Sequence, residues 1–155
     1  MIQRIQSLYL LLTTTMPFLF LKGPVLSFIN RSGSVLEVTM QGIFQTSGDT
    51  TPELVSRPWL IQGVVILIPI LSVVALLAFK NRRLQLKLTL ILIILSLLLA
   101  GTIVYYYISF SFGDQGSISA GFSMLLPLPL LLFSFLAYRG IRKDEELVKS
   151  YDRLR

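Results

Sequence analysis

Four stretches of the chain contain no Asp, Glu, Lys or Arg: Ile5 to Leu21, Trp59 to Phe79, Leu88 to Ile108 and Ile118 to Tyr138. Each of the last three is 21 residues long. At roughly 1.5 Å per residue that is about 31 Å of helix, enough to cross a hydrocarbon layer about 30 Å thick. The first run follows Arg4 and leaves through Phe18 to Pro24 without the small residues that precede a signal-peptide cleavage point, so it reads as a retained signal anchor. The pattern predicts an all-α membrane protein of one domain, 1–155: an antiparallel four-helix transmembrane bundle with a long outer loop at 22–58 and a tail at 139–155.

A different period marks the outer loop. Leu36, Val38 and Met40 alternate with Glu37, Thr39 and Gln41, which describes a strand with one apolar face. Val25 to Ile29 is a second short apolar run, and Asn30 to Ser34 between them carries turn chemistry, so a β-hairpin is expected. Two-stranded ribbons need support, so its apolar face should pack on helix ends or on residues 109–117, as a lid, or else dock a partner. Thr46 to Pro58 reads as flexible loop leading into Trp59.

Charge orients the spans. Of the 14 Lys and Arg, eleven fall on one side of this topology: Arg4, Lys80, Arg82, Arg83, Lys87, Arg139, Arg142, Lys143, Lys149, Arg153 and Arg155. Only Lys22, Arg31 and Arg57 fall on the other, so the positive-inside rule assigns both termini to the cytoplasm. The composition, 54% hydrophobic and 14% charged, lies outside the balance of a soluble domain. The net charge of +6 is explained by these juxtamembrane clusters and an anionic lipid bilayer rather than by nucleic acid, which is not an expected partner.

The same residues exclude much chemistry. Without Cys or His there are no disulfides, no thiolate or imidazole metal ligands and no Ser-His-Asp triad. Ionisable side chains are also missing from all four runs, which argues against a proton relay, and the many Ser and Thr hydroxyls there suit helix packing. Pro17, Pro69, Pro127 and Pro129 are candidate kinks, and the last two together should disrupt a turn. Tyr105, Tyr106 and Tyr107, at the end of a run, suit an interfacial belt. No enzyme activity, cofactor or metal site is expected.

The tail places Leu147, Tyr151 and Leu154 at i, i+4 and i+7, with Arg142 and Glu146 as an opposite-charge pair. With Arg142 and Lys143 it forms a candidate surface for the bilayer or for a protein partner, as does the hairpin face of Leu36, Val38 and Met40. The opening Met1-Ile2-Gln3-Arg4-Ile5-Gln6-Ser7-Leu8-Tyr9-Leu10-Leu11-Leu12 and the tail Arg142-Lys143-Asp144-Glu145 through Asp152-Arg153-Leu154-Arg155 resemble the four-span membrane family of Bacteroidota called domain of unknown function 4293. The resemblance covers essentially the whole chain. It implies a bacterial inner membrane with loop 22–58 in the periplasm, and it supplies no catalytic residues. In that setting Asp49-Thr50-Thr51 resembles the short O-glycosylation acceptor pattern of that phylum, while Asn30-Arg31-Ser32 matches the N-glycosylation triplet. The expected role is a non-enzymatic scaffold or accessory subunit of a membrane complex; the alternative is a small carrier or lipid-binding bundle built on proline-kinked helices.

Overall fold

The apolar runs fold as four helices in the computed structural model, which describes residues 3–30, 33–47, 51–113 and 117–153. Helix α1 spans Gln3–Thr15 and continues as a 3-10 segment, Met16–Lys22; α2 is Trp59–Leu77, α3 is Arg82–Gly113 and α4 is Pro127–Arg153. Four segments are long and apolar enough to cross a membrane: Ile5–Lys22, Trp59–Leu77, Arg82–Ser111 and Phe122–Leu147. Helix α1 packs on α2 and α4, and α3 packs on the same two, so the helices close into a ring. Leu10, Ile68, Leu92, Leu99 and Leu130 are wholly buried, whereas Ile66, Ile94, Leu97 and Leu132 are exposed on the outer surface. A helix apolar on every side is what a lipid-facing bundle requires.

Local chemistry sets the helix ends. Pro17, at the start of the 3-10 segment, has no N–H to continue the α-helical ladder, and the chain tightens there. Pro69 stays inside α2. Pro127 opens α4 and Pro129 lies in its first turn, where a missing N–H leaves no partner unsatisfied. The pair therefore starts α4, just after the 3-10 turn that opens the fourth membrane-length segment, and does not interrupt the helix itself. Asn81 caps α3 by accepting a hydrogen bond from the Leu84 N–H at 3.3 Å.

The polar end departs furthest from the sequence reading. Instead of a lone hairpin there is a five-stranded antiparallel sheet in the order β4-β3-β2-β1-β5. Strands β1 (Leu26–Ile29) and β2 (Ser34–Val38) are the expected hairpin. Its turn is closed by the Gly33 N–H donating to the Asn30 carbonyl at 2.9 Å. Gly33 has φ +80°, which L side chains rarely adopt. Strands β3 (Ile43–Ser47) and β4 (Glu53–Ser56) occupy part of the stretch expected to be flexible loop. They follow a tight turn in which the Thr39 hydroxyl donates to the Gly42 carbonyl at 2.8 Å and accepts from the Gly42 N–H at 3.2 Å. Strand β5 (Ser117–Ala120) pairs with β1, Phe28 opposite Ile118. Helix α4 consequently begins at Pro127 and not at 118; the intervening chain forms a 3-10 turn, Phe122–Leu125. Strand β1 would otherwise present an open edge, and the segment returning from α3 covers it.

The sheet closes one end of the ring. Val25, Leu26, Phe28, Val38 and Ile43 belong to the same buried cluster as the helix core. The Phe28 ring lies 4.9 Å from that of Phe110, which stacks at 6.2 Å on Tyr106. Tyr106 is thus partly a core residue, while its neighbour Tyr105 faces outward. At the other end stand the starts of α1 and α3, the α2–α3 turn and the end of α4.

Buried hydroxyls are satisfied locally. Thr89, Ser96 and Ser134 each donate to the carbonyl four residues back, at 2.8 to 3.0 Å. One set crosses between helices: Thr14 donates to the Ser72 hydroxyl at 3.0 Å, and Ser72 to the Leu10 carbonyl at 2.8 Å, joining α1 to α2. Among the described residues no buried side-chain nitrogen or oxygen lacks a partner.

Candidate functional site

Polar side chains gather at the end of the ring away from the sheet. Gln6 on α1 donates its side-chain amide to Asp144 Oδ2 of α4 at 2.7 Å, across 138 residues of sequence. Arg82 Nη1 of α3 donates to the Asp144 carbonyl at 3.1 Å. Gln6, Gln85 and Asp144 are all buried, at 6, 8 and 8% exposure. A buried carboxylate needs such partners, because its desolvation is costly otherwise. Gly140 permits the approach: a Cβ there would stand 2.8 Å from Gln6 Cγ. Gln6, Ser7, Phe79, Arg82, Gln85 and Asp144 border a cavity of about 360 Å³.

Beyond this latch α4 runs on without a break, so the amphipathic tail is the same helix as the fourth apolar segment. Arg142 and Lys143 are exposed, and Arg142 Nε pairs with Glu146 at 3.0 Å. Leu147 is 44% exposed. Tyr151 lies on the described helix, while Leu154 is outside the described residues, as are Thr50 and the Arg31-Ser32 part of the N-glycosylation triplet.

The hairpin candidates are placed differently. Val38 is fully buried, and Leu36 and Met40 pack partly buried against the common core, so this face is turned onto the protein's own bundle as a lid. Sequence reasoning missed the latch altogether. Its one signal was the amide of Gln6 within an apolar run, which nothing connected to a carboxylate so far along the chain.

A second cavity, about 570 Å³, opens sideways between α1 and α2. Pro17, Phe18 and Leu21 form one wall, Ile66 and Pro69 the other, and Met40 the sheet-side end. Among the described residues none of α4 lines it. Two of the four prolines expected as kinks, Pro17 and Pro69, thus border one groove.

The fold and these two places define a class: a ring of four membrane-length helices closed at one end by a small sheet, with the start of α1 and the end of α4 on the opposite side. The chain belongs to the family described as Domain of unknown function (DUF4293), whose sequence profile matches residues 2–154. No curated protein matches it.

Proposed function

We propose that the protein is a multi-pass subunit of the bacterial inner membrane, in Bacteroidota, with its sheet in the periplasm and both termini in the cytoplasm, and that it acts as a scaffold or accessory subunit and not as an enzyme. The observation that carries the partner-binding role is the unbroken continuation of α4 past Asp144. Gln6 and Arg82 both bond Asp144, with Arg142 and Lys143 exposed just before it and Leu147 exposed beyond it. A helix held at its root presents an apolar edge to a partner without first having to be ordered. The cytoplasmic assignment rests on the basic end. Arg82 and Arg83 sit in the first turn of α3, where the helix dipole disfavours cations by about 0.3–1 kcal/mol each, so membrane orientation is the better reason for their placement.

Two measurements test this reading. The chain has no cysteine, so each introduced one reports alone. In intact spheroplasts an impermeant maleimide should label Glu53→Cys on β4 directly and Lys143→Cys only after permeabilisation; the reverse pattern would invert the topology. Mild-detergent purification of the full chain, beside one truncated before Leu147, should yield a stoichiometric partner only with the arm present. A partner-free protein of unchanged thermal midpoint in both cases would sink the scaffold reading. The second reading, a small carrier or lipid-binding bundle, calls for a cavity shared by the first, second and fourth apolar runs, and the groove at Pro17 and Pro69 supplies the part between the first two.

A further inference from the structure

The groove between α1 and α2 suits a particular guest. On α2 it runs from Val65 to Val74, ten residues or about 14 Å of helix from first to last, close to half of a hydrocarbon layer about 30 Å thick. It is therefore about as deep as one leaflet. Its walls are apolar apart from Thr14, whose hydroxyl already serves Leu10 and Ser72. Its volume is about 570 Å³. An acyl chain is thin enough to enter.

The sheet-side end of the groove is marked chemically. Lys22 is exposed and directly follows the wall residue Leu21. On α2, Trp59 stands seven residues before Ile66, on the same helical face and about 10 Å nearer the sheet. Trp59 is 71% exposed, and the Arg57 guanidinium lies 5.9 Å from its ring centre. Only three Lys or Arg belong to the sheet side of the chain, and two of them are Lys22, next to the wall residue Leu21, and Arg57, against Trp59. The described acids of that end, Glu37 and Glu53, lie on β2 and β4. An apolar slot about as long as one leaflet is deep, with two cations and an indole beyond its sheet-side end, matches the shape and charge of a phospholipid.

We propose that this groove binds one anionic phospholipid of the sheet-side leaflet, its acyl chain between α1 and α2 and its phosphate beside Lys22 and Arg57. The proposal rests on the membrane reading above and adds the leaflet, the headgroup charge and the residues. It makes Pro17 and Pro69 the borders of a lipid site.

Trp59, the single tryptophan, reads the site directly. The full chain is reconstituted in phosphatidylcholine vesicles containing rising fractions of either phosphatidylglycerol or phosphatidylcholine brominated on the upper acyl chain. Brominated phosphatidylglycerol should quench Trp59 at fractions about fivefold lower than brominated phosphatidylcholine, the preference expected from about 1 kcal/mol of attraction by a basic residue. Lys22→Gln with Arg57→Gln should abolish the preference. Val73→Phe, at an exposed groove position outside the core, should abolish it too while keeping both cations. Equal quenching by the two lipids in the unaltered protein would overturn the proposal. So would a preference that survives Val73→Phe, because attraction would then come from surface charge without the groove. Trp59 quenched by neither lipid would instead overturn the membrane reading itself.

Discussion

Valine in place of Gly121 is expected to pull β5 away from β1 and to destabilise the protein more than any surface change. Gly121 joins β5 to the 3-10 turn before α4, and its N–H donates to the Val25 carbonyl at 3.3 Å. Its backbone is extended, φ −71° and ψ 157°, so the conformation suits any residue. Space is the obstacle: a Cβ there would overlap the Pro24 carbonyl oxygen, a backbone atom that cannot rotate aside. Overpacking of this kind costs about 2–3 kcal/mol, which lowers the thermal midpoint of a chain this long by roughly 4–12 °C. Gly63→Ala supplies the contrast. Nothing lies within 4 Å of a Cβ at that position inside α2, and alanine favours a helix, so the midpoint should hold or rise. Thermal unfolding of both variants in the same detergent is the test, and equal midpoints would mean that the β1–β5 junction yields more easily than its contacts imply.

The latch should behave as a coupled pair. Asp144→Leu leaves the buried Gln6 amide without its acceptor, and Gln6→Leu leaves a buried carboxylate without its donor. Each change should cost about 1–3 kcal/mol, because a stranded buried polar group loses its water without replacement. The double variant removes both groups, so its loss should fall below the sum of the singles by about 1–2 kcal/mol. Limited proteolysis gives a second reading, since freeing the root of the α4 arm should speed cleavage after Arg142 and Lys143 in either single variant. Additive losses with unchanged cleavage would show that Gln6 and Asp144 act independently. The Arg82 bond is made to the Asp144 backbone, so it persists in these variants and helps to keep α4 against α3.

Helices were legible in the sequence because lipid-length apolar runs need no partner to be recognised. Each apolar run overlaps one helix, though only α2 lies wholly within its run, and the ends moved for reasons visible afterwards in Pro17, Asn81 and Pro127. The β1–β2 hairpin was legible too, since period-two alternation and an Asn-to-Gly turn are local signals. What was missed depends on pairing over distance. Ser117–Ala120 looks like the start of an apolar span until the edge of β1 stands beside it. Strand β4 is exposed throughout and carries little pattern of its own, so only the neighbouring β3 makes it a strand.

By itself, then, the sequence determined the number of helices, the side on which their charges collect and the turn that starts the sheet, because each depends on solvent preference or on a few adjacent residues. The tertiary structure alone decided which way the hairpin's apolar face turns, which carboxylate meets Gln6, and that Pro17 and Pro69 border one groove. Those depend on contacts between segments far apart in the chain. Hydrophobic runs state that such segments must pack, but only the packed ring fixes which side chains meet.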